Sequence, residues 1–358
     1  MKEKVLVAMS GGVDSSVAGL LLQELGYESV GVTMRLWNLP ADEKRQGCCS
    51  LDDVQDAKRV ADQLGIPHYT LNMKEAFREN VVDYFVDEYR HGRTPNPCIA
   101  CNRVLKFEML IERAKQMGID KLATGHYARI VKEGDTYLIA RGKDNEKDQS
   151  YFLFDIPPKN LSKILFPLGE ITKEEARASA ERAGLKTAQK AESQEICFVP
   201  DDDYGSFLSD YGLPSKEGDI VTSDGKVLGK HNGTQHFTIG QRRGLGIGHA
   251  HRLYVTAIDA EANVVTVGSE SDLETESMLL TGLTFHLPVK AGDEYGVQVR
   301  YRQRPVKGII EYVEADKMKI RFLEPCGSIA PGQAGVLYRD DVIVCGGWIT
   351  ADEKGSSL

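Results

Sequence analysis

A buried strand, a glycine-rich turn and a helix follow one another at the start of the chain. Residues 4–9 form an apolar run, and residues 17–25 carry apolar side chains at helical spacing that stop before Gly26. Between them lies the string Ser-Gly-Gly-Val-Asp-Ser-Ser, at residues 10–16. Glycine lets a backbone approach a ligand closely, and a helix N-terminus offers unpaired N–H groups. The start of the chain therefore predicts a phosphate site in an α/β sheet.

This turn lacks the lysine with which a Walker loop holds the β- and γ-phosphates of a nucleotide. It therefore fits pyrophosphate binding, with adenylation at the α-phosphate, better than transfer of the γ-phosphoryl group. A competing interpretation is that the glycines, the aspartate and the serines only cap a helix.

Strand and helix patterns alternate through the first half of the chain, which is typical of a doubly wound parallel sheet. Predicted strands cover residues 29–35, 68–72 and 121–124, and predicted helices cover 52–64, 74–90 and the stretch that ends at 117. Thr172 and Glu175 have the spacing of a capping box that opens a further helix. Ligands of such sheets bind beyond the carboxyl ends of the strands. We therefore expect the glycine-rich turn, Met34, the loop 93–102 and Gly125 with His126 to share one crevice.

The pattern changes in the second half, where short strands and turns replace the helical signals from residue 218 onward. Turns predicted at 224–225, 293–294 and 315–316 have antiparallel spacing. The stretch 277–348 predicts a closed or partly closed β-barrel. We place the first domain boundary just beyond Pro200.

Composition excludes several classes of protein. A chain of 358 residues exceeds the size at which one hydrophobic core keeps growing, so more than one domain is expected. Seven cysteines, an odd count in a chain of this size, favour a reducing cytoplasm over a disulfide framework. No apolar stretch approaches the roughly 18 residues of a membrane span. The formal net charge of -9 means that any nucleic-acid contact uses local basic patches.

The cysteines by themselves leave the chemistry open. Cys98 and Cys101 form a CxxC pair, which is half of a zinc site if Cys48 and Cys49 supply the other half. Adjacent cysteines, however, ligate one metal poorly. Cys197 alone reads as a buried structural thiol.

Several motifs resemble known families. Ser-Gly-Gly-x-Asp-Ser after an N-terminal strand is similar to the motif of the ATP pyrophosphatase superfamily, whose members adenylate a substrate and release pyrophosphate. Further segments resemble, in order, the bacterial and organellar tRNA-specific 2-thiouridylases. These are Asn-Pro-x-x-x-Cys-Asn at 96–102, Gly-His-Tyr at 125–127, Asp-Gln-Ser-Tyr-Phe at 148–152 and Ile-Cys-Phe at 196–198. The likeness continues at 240–248, 300–302 and 331–333, so it covers essentially the whole chain.

The resemblance implies a fold and a domain order that agree with the patterns above. It implies an α/β doubly wound parallel sheet of the adenine nucleotide α-hydrolase type, a small central domain and a C-terminal β-barrel similar to one in elongation factor Tu. We expect the ATP pyrophosphatase domain at 1–200, the central domain with tRNA contacts at 201–276 and the barrel at 277–358.

The resemblance also implies an activity, that of a tRNA-uridine 2-sulfurtransferase. ATP, with Mg²⁺, adenylates the C2 oxygen of the wobble uridine, because that oxygen is otherwise a poor leaving group. Cys197 matches the cysteine that carries sulfur as a persulfide, and Cys101 matches the nucleophile that releases it, leaving a disulfide between the two. A helix start near Arg103 would favour the Cys101 thiolate. Asp14 is expected on the metal side. The residues matched to ATP binding are Ala8, Met9, Ser10, Gly11, Gly12, Val13, Asp14, Ser15, Met34 and Gly125.

The sequence departs from the family motif at one informative position. The better-known form reads Asn-Pro-Asp-x-x-Cys-Asn, and here Cys98 stands in place of the acid. A cysteine at this position weakens the case that the residue acts as a base, as the acid of the family motif does. It also adds a third thiol, so an iron–sulfur cluster on Cys98, Cys101 and Cys197 is an alternative. Residues 192–197 also differ from the family's Asp-Ser-Thr-Gly-Ile-Cys form. An amidating ATP pyrophosphatase and an RNA-binding module without activity are the remaining alternatives.

The expected partners are tRNA and a protein that donates persulfide sulfur, with no membrane and a monomer or weak dimer as the assembly. We add two basic patches as backbone contacts, Gln241 with Arg242 and Arg243, and Arg300 with Arg302 and Arg304. The residues that the resemblance assigns to tRNA contact are His126, Asp148, Gln149, Ser150, Arg300, Tyr301 and Gln333.

Overall fold

The computed structural model describes residues 2–37, 51–190, 196–199, 203–249 and 251–350. The chain falls into two compact units. The first comprises Met1–Val81, Cys98–Phe198 and Asp341–Ile343, and the second comprises Val82–Pro97, Val199–Asp340 and Val344–Leu358. Within the described ranges, no helix is long and apolar enough to cross a membrane.

The first unit is built on a parallel sheet. Its strands are β1 (Lys4–Ala8), β2 (Glu28–Arg35), β3 (His68–Asn72), β4 (Lys121–Ala123), β5 (Ala128–Glu133), β6 (Thr136–Arg141) and β7 (Ile164–Leu165). The sheet has the order β3-β2-β1-β4-β7, and each neighbouring pair is parallel. Strands β5 and β6 form an antiparallel hairpin. The strand order reverses between β1 and β4, which confirms the predicted doubly wound sheet.

Helices cover this sheet and bury its apolar strands. The helices of the chain are α1 (Val13–Glu24), α2 (Leu51–Leu64), α3 (Lys74–Phe77), α4 (Asp83–Arg90), α5 (Pro97–Ala100), α6 (Leu110–Gln116), α7 (Lys173–Arg182) and α8 (Tyr204–Asp210). Val17 and Leu22 of α1, Val60 of α2 and Ala180 of α7 pack with Val7 of β1 in one buried cluster. Burying a large apolar side chain contributes about 1.5–3 kcal/mol, so this cluster fixes where α1 begins relative to β1. The predicted capping box of Thr172 and Glu175 is present at the start of α7.

One helix start was predicted wrongly. The helix after the loop 93–102 begins at Pro97 rather than near Arg103, because proline is well suited to the first helical position. From Cys101–Met109 it continues as a π-helix and then becomes α6. A second π-helix, Arg78–Val82, joins α3 to α4 within the predicted helix 74–90. Cys101 therefore lies inside a helix and not ahead of an N-terminus.

The second unit contains two β structures. Its strands are β8 (Gly218–Thr222), β9 (Val227–His231), β10 (Tyr254–Asp259), β11 (Val264–Gly268), β12 (Glu274–Phe285), β13 (Glu294–Gln298), β14 (Val306–Glu314), β15 (Lys317–Gly327), β16 (Ala334–Arg339) and β17 (Val342–Thr350). The first four form the sheet β10-β11-β8-β9. The others follow the order β12-β15-β14-β13-β16-β17, and β12 also pairs with β17. This pairing closes the predicted barrel.

Short 3₁₀ turns complete the described secondary structure, at Ser150–Leu153, Pro158–Lys163, Pro167–Glu170, Thr234–His236 and Ser271–Leu273. The predicted turn at 315–316 separates β14 from β15. The turn predicted at 293–294 instead occupies residues 291–292, and β13 begins at Glu294.

Candidate active site

The glycine-rich turn lies where the strand order reverses, between the ends of β1 and β4. Gly12 is the N-cap of α1, and no side chain caps the first turn of that helix. The hydroxyl groups of Ser15 and Ser16 instead donate to the Gly12 carbonyl oxygen, at 3.1 and 2.8 Å. The string thus caps the helix through Gly12 and not through a side chain. The uncapped N–H groups at a helix N-terminus are suited to binding a phosphate.

Gly11 is held from two sides. Its φ of +76° is one that glycine adopts readily, and a Cβ atom there would lie 2.3 Å from the carbonyl oxygen of Asp53. The Lys190 ammonium donates to the Gly11 carbonyl oxygen at 3.1 Å, and also to Asp53 and Asp56 at 2.7 and 2.8 Å. Burial alone would lower the pKa of Lys190, but these two carboxylates raise it above its ordinary value. Lys190 therefore stays charged and fixes the turn to α2.

Asp14 of the turn is also engaged by protein groups. Its carboxylate accepts from the Lys173 ammonium at 2.7 and 2.8 Å and from the Tyr127 hydroxyl at 2.8 Å. Lys173 is only 7% exposed. The turn thus acquires from α7 a lysine that its own sequence lacks. The Asp14 oxygens have these partners in the structure, and the expected place of Asp14 on the metal side stays a prediction.

Gly125 lies against the first turn of α1. A Cβ atom at this position would be 2.7 Å from the backbone carbon of Asp14 and the backbone nitrogen of Ser15. Only glycine permits this approach, so the end of β4 is packed directly onto the glycine-rich turn. Met34, the other predicted adenosine contact, is half-buried in β2 and pairs with Leu71 of β3.

A series of polar contacts joins the π-helix Cys101–Met109 to His126, the residue after Gly125. Lys106 donates to the Asn102 Oδ1 atom at 2.9 Å, and its ammonium lies 3.5 Å from His126 Nε2. His126 Nδ1 lies 2.6 Å from the Thr124 hydroxyl oxygen, and the ring packs against Phe107. Burial, with a smaller effect of the Lys106 charge, lowers the pKa of His126 well below its ordinary value. The imidazole is therefore neutral at pH 7, and Nε2 is able to accept from Lys106.

The cysteines Cys98, Cys101 and Cys197 of the first unit differ in solvent exposure. Cys98 is exposed, whereas Cys101 and Cys197 are half-buried. Cys101 opens the π-helix, directly before Asn102. Phe198, the neighbour of Cys197, is buried. In the part of the chain that the structure describes, no three His, Cys, Asp or Glu side chains are arranged to hold a metal ion. Cys48 and Cys49, the other half of the zinc alternative, lie outside the described residues.

The segment 148–150 has internal hydrogen bonds. Asp148 and Ser150 are buried, and Asp148 accepts from Arg141, from the Gly142 backbone N–H and from Ser150. Gln149 is half-buried, and its Oε1 accepts from the backbone N–H of Tyr127 at 3.0 Å. These contacts position the Tyr127 segment, so the predicted tRNA contact in this stretch rests mainly on Gln149.

In the second unit, two of the predicted tRNA residues bind backbone carbonyls. Gln333 donates to the carbonyl oxygens of Thr94 and Pro95 at 2.9 and 3.3 Å. Arg300 donates to the carbonyl oxygen of Ile239. Tyr301 and Arg302 are half-buried and exposed, respectively. Other residues of the proposed basic patches, Gln241, Arg242, Arg243 and Arg304, are half-buried or exposed. The tRNA-contact role of all these residues stays a prediction.

Sequence reasoning missed three lysines of this site, Lys106, Lys173 and Lys190. Lys173 contacts a residue 159 positions away, and Lys190 contacts one 179 positions away. No local spacing signals such contacts. Lys106 follows Asn102 by four residues, a spacing that brings side chains together on a helix, but the predicted helix started near Arg103 and so left Asn102 out.

Comparisons with known proteins cover the whole chain. Residues 3–201 match the model described as tRNA methyl transferase HUP domain, residues 205–269 the tRNA methyl transferase PRC-barrel domain and residues 276–349 the Aminomethyltransferase beta-barrel domain. The tRNA-specific 2-thiouridylase MnmA of Geobacter metallireducens is 48% identical over an alignment that covers 98% of this chain and 97% of that protein. The chain belongs to the tRNA-specific 2-thiouridylase family.

Other members of the family are similar over comparable lengths. MnmA of Carboxydothermus hydrogenoformans is 48% identical over 97% of this chain and 98% of its own length. A tRNA-specific 2-thiouridylase MnmA 1 of Clostridium botulinum is 45% identical over 98% of this chain and 99% of its own length. The family resemblance expected from the motifs is thus confirmed.

Proposed function

We propose that this chain is a tRNA-uridine 2-sulfurtransferase that replaces the C2 oxygen of the wobble uridine with sulfur. The uridine oxygen attacks the α-phosphorus of ATP, pyrophosphate leaves, and the oxygen becomes part of an AMP leaving group. Sulfide then attacks C2, AMP departs with the oxygen, and 2-thiouridine remains. Adenylation is required because the carbonyl oxygen is otherwise a poor leaving group.

The glycine-rich turn is the proposed phosphate site. Backbone N–H groups of the first turn of α1 face the phosphates, and Gly11 and Gly125 keep side chains out of their way. The predicted ATP residues, 8–15 with Met34 and Gly125, line this end of β1, β2 and β4. Lys173 adds a positive charge beside Asp14, which favours the pyrophosphate as its charge develops.

Mg²⁺ is expected with ATP, and among the described residues no three His, Cys, Asp or Glu side chains are grouped to hold a metal ion. Asp14 is bound to Lys173 and Tyr127. We therefore propose that the phosphate oxygens of the nucleotide, with water, hold the ion when it is present, as is usual for Mg²⁺.

Sulfur transfer uses the two half-buried cysteines. A donor protein transfers sulfane sulfur to Cys197, giving a persulfide. The Cys101 thiolate attacks the Cys197 sulfur, the bond to the outer sulfur breaks, and sulfide leaves toward the adenylated C2. The product is a disulfide between Cys101 and Cys197, and an external dithiol returns two electrons to restore both thiols.

One observation carries this proposal: a series of contacts links the helical segment that carries Cys101 to the glycine-rich turn. Asn102, beside Cys101, is bound by Lys106, which lies against His126. Gly125, beside His126, packs on the backbone of Asp14. These contacts support a connection between the helical segment that carries Cys101 and the proposed phosphate site, as adenylation followed by sulfur transfer requires.

An anaerobic single-turnover experiment tests the function. Wild type and Cys197→Ala are mixed with unmodified tRNA, ATP and a persulfide donor, and 2-thiouridine and AMP are scored. With Mg²⁺ supplied, we expect both products from wild type that contains no iron, and loss of 2-thiouridine in Cys197→Ala. Cys326→Ala is the matched control, because burial raises the pKa of the Cys326 thiol and places it outside the reaction.

Iron and acid-labile sulfide are measured in the same samples. Activity that appears only after a cluster is reconstituted would contradict the persulfide mechanism and favour the iron–sulfur alternative. Incorporation of ammonia without sulfur would favour an amidating enzyme.

A further inference from the structure

A cavity of about 340 Å³ opens in the first unit, apart from the glycine-rich turn. Its lining residues are Trp37, Lys74, Glu75 and Arg78. Trp37 follows the end of β2, and the other three lie on the helical turn that follows β3. The cavity therefore lies at the carboxyl edge of the parallel sheet, where such sheets bind ligands.

The aromatic wall of this cavity is held in place from behind. The Trp37 ring centroid lies 6.1 Å from that of Phe77 and 6.3 Å from that of Phe198. Phe77 and Phe198 are buried and pack edge-on at 5.4 Å, whereas Trp37 keeps part of its surface exposed. A rigid indole with one accessible side is a stacking surface for a planar ligand.

The rim of the cavity supplies charge of both signs. Arg78 and Glu75 are exposed, and Lys74 is half-buried. The rim thus carries a net positive charge in a chain whose formal net charge is -9. An indole beside lysine and arginine suits an unpaired nucleotide, whose base stacks while its phosphate meets the cations. The Glu75 carboxylate adds an acceptor for a base amine or a 2′-hydroxyl.

We propose that this cavity binds one unpaired nucleotide of the RNA substrate next to the target uridine. The inference rests on the proposed function for the identity of that RNA. Phe198 connects the cavity to the reaction, since it packs on Trp37 and directly follows Cys197. A base stacked on Trp37 would therefore hold the neighbouring nucleotide near the sulfur-carrying residue.

Trp37 itself provides the measurement. The chain has two tryptophans, so Trp348→Phe leaves Trp37 as the one fluorescent indole. We expect the emission of this variant to fall when a stem-loop RNA with a single-stranded uridine-containing loop is added, with weaker binding at higher salt. Base stacking contributes about 1–3 kcal/mol, so Trp37→Leu should weaken RNA binding roughly 5- to 150-fold, and Trp37→Phe much less.

Charge-reversal variants distinguish RNA binding at the rim of the cavity from non-specific electrostatic attraction of RNA to the protein surface. Arg78→Glu should weaken RNA binding and raise the KM for tRNA while the KM for ATP is unchanged. Lys115→Glu, an equal charge reversal at an exposed residue of α6, should have little effect.

Three results would overturn the proposal. They are no fluorescence change at RNA concentrations that saturate the enzyme, a change produced by ATP alone, and a Trp37→Leu variant that loses sulfur-donor binding but keeps RNA affinity. If wild type binds RNA through Trp37 but forms no 2-thiouridine, the cavity assignment stands and the proposed function fails.

Discussion

A substitution of Lys190 tests how much its ion pairs stabilise the glycine-rich turn. Its ammonium binds the nearly buried Asp53, the partly buried Asp56 and the Gly11 carbonyl oxygen. Removing one partner of a buried ion pair costs about 3–5 kcal/mol. Because Lys190 and Asp56 retain some exposure, we expect Lys190→Met to lower the free energy of unfolding by about 3 kcal/mol. At a urea m-value of about 3 kcal/mol/M, the midpoint falls by roughly 1 M.

The measurement is urea unfolding in the Trp348→Phe background, where the fluorescence of Trp37 reports on the first unit. Lys186→Met is the matched control, since Lys186 is exposed in the same segment and should change stability by less than about 0.5 kcal/mol. Adding Asp53→Asn to Lys190→Met should restore about half of the loss, because no buried charge is then unpaired. Equal midpoints for Lys190→Met and Lys186→Met would refute the reasoning.

The pH dependence of this difference follows from the pKa shifts. Burial would raise the pKa of Asp56, but its hydrogen bond with Lys190 lowers it, so that stabilisation is present above the ordinary aspartate value and is lost on acidification. The pKa of Lys190 is raised, so its contribution is present below its ordinary value of 10.5 and is lost in stronger alkali. The stability difference between wild type and Lys190→Met should therefore be fullest from about pH 5 to pH 10.

Further outcomes are expected at other residues. Lys173→Met should lower kcat/KM for AMP formation about 100-fold, with Lys173→Arg retaining more activity, because an ammonium beside Asp14 is lost. The pKa of His126 is lowered by burial, so the folded state resists its protonation, and wild type should lose stability relative to His126→Gln as pH falls below about 6.5. A stability difference that stays constant with pH would contradict this assignment. Burial raises the pKa of Cys345 to about 12, so iodoacetamide at pH 8 should label Cys98 in the native protein and reach Cys345 only after unfolding, as mass spectrometry would show.

The backbone requirements of the site were predictable from sequence, and its long-range contacts were not. Gly11 and Gly125 belong to motifs whose geometry demands glycine, so their placement beside a phosphate site follows from local chemistry. Lys173 and Lys190 reach the same turn from more than 150 residues away, and nothing in their neighbourhoods indicates it. The parallel sheet and the barrel were predictable because periodic apolar patterns specify them.

One wrong prediction has a physical cause that sequence reading can use. The helix carrying Cys101 was started too late, because Pro97 was taken as part of a loop although proline is favoured at a first helical position. The tRNA contact that the resemblance assigns to Asp148 and Ser150 stays a prediction, and in the fold their polar atoms bind one another. A short polar motif is equally typical of an internal hydrogen-bond cluster.

Because Cys101–Met109 is a π-helix, the contacts of this segment depend on the number of residues between its side chains. A helix turns by a set angle per residue, about 100° in an α-helix and less in a π-helix, so deleting one residue between Asn102 and Lys106 would point their side chains in different directions. The Lys106 bond to Asn102 would break, although every predicted reactive group would remain in the sequence. Single-residue insertions and deletions here should therefore be far more harmful than a substitution at Met109, whose side chain is exposed.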